Sequence, residues 1–416
     1  MPAVLVALSL LACGCSSAGT QPSGAPTSAE VSALLARHAK AVLTHSASAY
    51  LADVDTAKVS RAFRSAQSAE IDNISDVPLK TWTYTISAPV TDASAQQAAT
   101  RRYGAAALIV QVTVAYELAG VDVVPTEHQL WWTFVRRHGH VYLAGDDDLA
   151  QAGGVSWRGP WDFGAVVVAG GSSALVLGHI ESALQVSTLA DIVDGAIPQV
   201  SAVWGTGWSQ RVAVLVPATA AEFAAMVGTN NSSADISAVA VTDGIDPVSH
   251  QPYGQRLVLD PDALAQLSGV GRQIVVRHEI THLATAASTS DTTPRWLVEG
   301  FADYVGERND GQSVHTTAAE LRAEVVRGVL PTALPADAAF TVGATRLPQI
   351  YEESWLACRL IAARAGTASL VRFYREVGTA ELPASYAITQ ALHDVLGVTT
   401  ATFTTQWIAY VRAQLG

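Results

Sequence analysis

Between residues 79 and 145 apolar and polar positions alternate with a period of two in four runs, 79–87, 106–118, 129–137 and 140–145, which predicts four strands, the second and third long and aromatic-bearing. Upstream, apolar residues recur at helical spacing over 31–43 and more weakly around 59–66, so two helices precede the strands. A Gly- and Trp-rich stretch, 154–164, then marks a boundary. Beyond it short apolar runs predict strands at 165–169, 173–177, 211–216, 236–241 and 255–260, with helices at 189–203 and 219–227 between them. Thr219, followed three residues later by Glu222, has the form of a capping box and starts the second of those helices. Asp260-Pro261-Asp262 ends the strand pattern, and from Gly271 onward nearly the whole chain has a helical period. The fold class is therefore α+β: an N-terminal domain over 31–153, a sheet-bearing half over 160–270 and a helical half over 271–416, with a cleft expected where the two halves meet.

Composition narrows the function. The chain has 416 residues, 49% hydrophobic and 15% charged, enough apolar material for large packed cores. A net charge of −12 with no stripe of Lys and Arg argues against a nucleic-acid partner. Residues 4–12 are an apolar run too short to span a bilayer and followed by small residues, as in a secretory signal. Leu10-Leu11-Ala12-Cys13 resembles a bacterial lipobox, which implies lipidation at Cys13, with Cys15 as the alternative, although Met1-Pro2 supplies no positive leader. The Ser-, Gly- and Pro-rich stretch completing 1–30 suits a tether, so the expected location is secreted or at the cell surface, on a lipid-anchored bacterial membrane protein facing outside the cytoplasm. The third cysteine, Cys358, lies in an apolar helical pattern and is expected as a buried hydrophobe. The order of elements over 31–153, helices followed by antiparallel strands, resembles the cystatin-like cone of the nuclear transport factor 2 and SnoaL group. His138 and His140 in that region read as solvated hairpin ends.

The chemistry gathers in residues 277–306. His278-Glu279-Ile280-Thr281-His282 puts two imidazoles four apart on one helical face, able to reach one ion, with Glu279 one step round and free to act on water. Asp291-Thr292-Thr293-Pro294 breaks the chain, and a second helix carries Glu299 and Asp303 on one face among Trp296, Leu297, Gly300, Ala302 and Val305. Two His and a carboxylate make the three-ligand set of a catalytic zinc.

His-Glu-x-x-His followed after 16 residues by the Glu of Trp-Leu-x-Glu-Gly-x-Ala resembles the gluzincin metallopeptidases, which include thermolysin. The resemblance implies one zinc per chain on His278, His282 and Glu299, Glu279 as general base, and Asp303 orienting His278 from behind. It also implies a thermolysin-like domain over the sheet-bearing and helical halves and a peptide or protein as substrate. Gluzincins place a Tyr or His donor on a later helical segment; Tyr351, 52 residues after Glu299, is the first candidate, ahead of Tyr304 and His393. The amine-binding Gly-x-Met-x-Asn strand of the clan's aminopeptidases has no counterpart, and the strand at 236–241 is instead expected to pair with an extended peptide, as in an endopeptidase. The competing reading is a non-catalytic cell-envelope scaffold on the same fold.

Overall fold

A computed structural model describes residues 24–227, 237–246, 249 and 251–416; Cys13, Cys15 and the apolar run before them lie outside those residues. The first part of the chain folds as α1 (Ser28–Leu43), α2 (Ala47–Ala52), α3 (Arg61–Asn73), β1 (Leu79–Pro89), α4 (Ala93–Tyr103), β2 (Ala107–Leu118), β3 (Thr126–Arg137) and β4 (His140–Gly145). Its four strands form one antiparallel sheet in the order β1-β2-β3-β4. Two of these helices are absent from the periodicity. α2 is six residues long, and α4 (ASAQQAATRRY) buries only Ala99 and Tyr103, so neither has an apolar stripe to read. α4 is set instead by its ends, Asp92 accepting from the N–H groups of Ser94 and Ala95 and Gly104 closing in the left-handed region at φ 62°.

The second sheet has five strands, β5 (Val166–Gly170), β6 (Ala174–His179), β7 (Val212–Leu215), β8 (Ala238–Val241) and, later in the chain, β11 (Arg256–Leu259). Between β6 and β7 runs α5 (Ala183–Trp204), between β7 and β8 α6 (Ala220–Val227), and between β8 and β11 a small hairpin of β9 (Gly244–Ile245) and β10 (Pro252–Tyr253), which two-residue strands leave illegible in sequence. The order is β5-β6-β7-β11-β8, with β6, β7 and β11 parallel and both outer strands antiparallel, so β8 is an edge. The strand expected at 236–241 begins, among the described residues, at Ala238. Thr219 caps α6 through its hydroxyl, but the carboxylate of Glu222 bonds the N–H of Ala218 and the ring of His179, not the backbone of Thr219.

Alternate residues of these strands enter different cores. Val176, Val212, Val214, Leu257 and Leu259 pack with α5 and the C-terminal helices, while Leu175, Leu177, Ala213, Leu215 and Val258 pack with Trp82, Trp132, Trp161 and the rest of the N-terminal part. Burial on both faces is why the strands read as unbroken apolar runs. The 154–164 segment sends Trp161 into the second core at 2% exposure, and Asp122 grips Arg256 of β11 with two bonds of 2.7 Å where both side chains are buried.

The helical part comprises α7 (Pro261–Gln266), α8 (Gly269–Thr285), α9 (Arg295–Gly306), α10 (Val314–Thr317), α11 (Ala319–Val326), α12 (Leu347–Ala365), α13 (Thr367–Gly378), α14 (Ala384–Leu396) and α15 (Thr400–Leu415). Among the described residues no helix is long and apolar enough to cross a membrane. α9 lies between α8 and α12, and two glycines make room for it. A Cβ at Gly300 would strike the carbonyl of Ser354 on α12, and one at Gly306 would press on Ile274 and His278 of α8. Helix propensity alone favours Ala over Gly by about 1 kcal/mol, so Gly300→Ala separates propensity from packing. The clash should win and destabilise the protein by about 1–3 kcal/mol, read as a lower urea midpoint; an unchanged or raised midpoint would show that the two helices are not held so close.

Candidate metal centre

α8 starts at Ser268, whose hydroxyl accepts from Gly271 N–H, and carries His278 and His282 one turn apart. Arg277, buried on the same helix, donates through Nε to the carbonyl of Gly306 at 2.8 Å, satisfying the C-terminus of α9 and fixing one helix against the other. The N-terminus of α9 is capped from elsewhere: Asp337 accepts from the backbone N–H of Arg295 at 2.8 Å.

Held at both ends, α9 delivers Glu299 to the two imidazoles. The Nε2 atoms of His278 and His282 are 3.0 Å apart, and Oε2 of Glu299 lies 3.4 Å from the first and 3.5 Å from the second. Tetrahedral bonds of about 2.0–2.1 Å require donor separations of about 3.3 Å, so this near-equilateral triangle fits a zinc ion in both donor type and spacing. It is the one such group of His, Cys, Asp and Glu among the described residues.

Asp303, one turn past Glu299, accepts from Nδ1 of His278 at 2.8 Å, which fixes the tautomer of the neutral ring with its lone pair on Nε2, facing the triangle. Burial disfavours charge on His278, yet Asp303 and then Glu299 hold its pKa well above the ordinary imidazole value. Glu299 shows the mirror effect: burial pushes it up, but His282 and His278 keep it far below the usual carboxylate range. The cluster draws positive charge to one point.

Glu279 stands beside this point. Its Oε2 accepts from the N–H of Ala240 on β8 at 2.9 Å, Oε1 has no hydrogen-bond partner among the described residues, and burial raises its pKa against the pull of His278 and His282. Because Ala240 N–H turns away from β11 toward Glu279, the C=O of Ala240 and the N–H and C=O of Ala238 also face away from β11, and no further strand pairs with them among the described residues. Nothing in the sequence marks Ala240, since the group that matters is backbone.

Tyr351, on α12, packs edge-on against Phe340 with centroids 5.5 Å apart, and its hydroxyl has no hydrogen-bond partner among the described residues. Burial, then the nearby Glu299 and Asp303, push its pKa up, so the phenol stays protonated. The other candidates lie elsewhere. Tyr304 bonds Thr367 and Arg308, His393 pairs with Asp394 with 80% of its side chain exposed, and His138 and His140 flank the β3–β4 turn. Cys358 is buried in α12.

No family model and no curated protein matches the sequence. Similar solved structures include crystal structures of an M1 zinc metallopeptidase from Deinococcus radiodurans: a mutant form at 14% identity and TM-score 0.38 over 79% of this chain and 70% of that one, and another at 14% and 0.35 over 68% and 59%. A two-domain M1 zinc metallopeptidase mutant bound to L-arginine gives 13% and 0.35 over 68% and 60%. The chain thus spans about 60% of the length of two of these three, and a likeness this distant bears on neither mechanism nor substrate.

Asp303→Ala should weaken zinc binding about 10- to 100-fold, measured by competition with a chromophoric chelator. Unchanged affinity would show that the contact with His278 does not orient it for a metal.

Proposed function

We propose that the chain is a zinc-dependent peptidase in which His278, His282 and Glu299 hold one ion and Glu279 is the general base. The donor triangle, with Asp303 behind one imidazole and Glu279 beside it, is the observation that carries this reading. A bound zinc supplies the Lewis acidity that polarises a peptide carbonyl and acidifies water. The chain's own residues do the rest. Glu279, anchored through Oε2 by Ala240 and raised in pKa by burial, takes the proton of the attacking water through Oε1 and returns it to the leaving amine. Tyr351, protonated and without another partner among the described residues, donates to the oxygen on which negative charge develops. The backbone groups of Ala238 and Ala240 that face away from β11, apart from the N–H held by Glu279, pair with no strand among the described residues and suit an extended peptide added there, which supports an endopeptidase.

The finer assignments are proposals of the same kind. The lipobox-like sequence at Cys13, or Cys15, and the tether after it support a lipid-anchored enzyme outside the cytoplasm. The helices and antiparallel sheet of the first part support a cystatin-like cone, here packed as a wall on the second sheet. A retired scaffold would have no use for a general base beside intact ligands.

The purified chain should hold about one zinc per molecule and cleave members of a mixed peptide library, losing activity on chelation. Glu279→Gln should retain the metal and lose about 10²- to 10⁴-fold in kcat; full activity in that variant excludes Glu279 as base, and a zinc-loaded wild type that cleaves nothing favours the scaffold. Tyr351→Phe should lower kcat about 10²-fold or more with KM little changed; an unchanged kcat would remove Tyr351 from the site.

A further inference from the structure

Arg295 stands at the edge of the donor cluster, and none of the steps above uses it. It opens α9 four residues before Glu299, and its Nη2 is 4.0 Å from Oε1 of that residue, past hydrogen-bond reach. The guanidinium is held from the other side. Nη1 donates to the carbonyl of Phe340 at 3.1 Å, and Cζ sits 5.2 Å from the centroid of the Phe340 ring, the same ring that packs against Tyr351. Held this way, 47% of the side chain is still exposed, and its remaining N–H donors have no acceptor among the described residues.

A fixed, half-exposed fork with spare donors beside a site of peptide chemistry is built for a carboxylate, which it can bind bidentately with little loss of rotamer freedom. Glu299 meets that need only in part: its Oε1 lies at the 4.0 Å ion-pair limit from Nη2, beyond hydrogen-bond reach, while its Oε2 faces the two imidazoles. We infer that Arg295 binds a carboxylate of the substrate and sets the preference of the site, the carboxylate being either the C-terminus of the peptide or an Asp or Glu side chain close to the scissile bond. This rests on the peptidase reading; a preference for the C-terminus would replace the endopeptidase assignment with a carboxypeptidase.

The test uses the zinc-loaded full chain and three forms of one cleaved peptide: a neutral C-terminal amide, the free acid, and an amide with Glu placed beside the scissile bond. One carboxylate form should show a KM lower than that of the neutral amide by about tenfold or more, and which form does so identifies the source. Arg295→Ala should bring that ratio close to one while zinc affinity is kept, and Arg295→Lys should restore only part of it, since an ammonium cannot form the paired bonds. If Arg295→Ala folds poorly by circular dichroism, Arg295→Gln, which keeps a donor for Phe340, replaces it. Equal KM values across the three peptides, or a preference that survives loss of the guanidinium, would overturn the inference, as would a fall in zinc affinity with the ratio unchanged, because Arg295 would then only steady Glu299. Binding of the fluorescent-labelled peptides to Glu279→Gln separates the two readings. Arg295-dependent binding without cleavage by wild type refutes the peptidase and leaves the carboxylate site standing, whereas cleavage without carboxylate preference refutes the site alone.

Discussion

Charge that has left bulk water must find a partner, and Glu279, Glu299 and Asp303 crowd around two imidazoles in a part of the molecule otherwise built from Val276, Ile280, Leu297 and Phe301. Each group is set by another: Asp303 fixes the ring of His278, the two rings hold Glu299 ionised, and Ala240 N–H pins Glu279. Positive charge at the centre of the triangle satisfies all of them at once, which a proton on one imidazole does only in part. A divalent ion answers the arrangement better, and its pull on the ligands would in turn depend on protons having left them.

That geometry depends on the spacing of helices more than on any one side chain. A shift of about 1 Å in α9 would open the triangle beyond what a single ion can bridge. Three features resist such a shift: Gly300 lets α9 touch the backbone of α12, Gly306 lets it touch α8, and Arg277 ties its last carbonyl to the first histidine's helix. The sheet adds a fourth constraint, because the strand edge that supplies Ala240 to Glu279 belongs to a layer fixed on both faces by hydrophobic cores.

The cluster was legible in the sequence because its determinants are local: a four-residue interval sets one face of a helix, and Glu299 and Asp303 repeat that interval on the next. The long apolar strands were legible for the same reason. What could not be read was set by backbone or by distant partners. α4 is defined by its caps, and the β9–β10 hairpin by a two-residue pairing. The N–H of Ala240 carries no side-chain signature, and Glu222, whose position suggested only a capping box, turns out to spend its carboxylate on His179, 2.7 Å away and buried. Arg295 was not singled out in the sequence, because what holds it, the carbonyl of Phe340 45 positions later, leaves no local pattern.

The N-terminal part takes on a different character once the strand faces are sorted. Leu175, Leu177, Ala213, Leu215 and Val258 pack with Phe223 and Val227 of α6 and with the aromatic core around Trp82, Trp132 and Trp161. A sheet with an uncovered apolar face would associate or unfold, so this part closes the sheet that positions Glu279, whatever else it does. The Asp122–Arg256 pair makes the arrangement specific as well as stable, since a buried charge without its partner costs several kcal/mol and few other dockings of two apolar faces would supply one. Thr126 and His128, at the start of β3, reach Asp243 just beyond β8. The N-terminal part is therefore tied to the chain just after β8, the strand whose Ala240 holds Glu279.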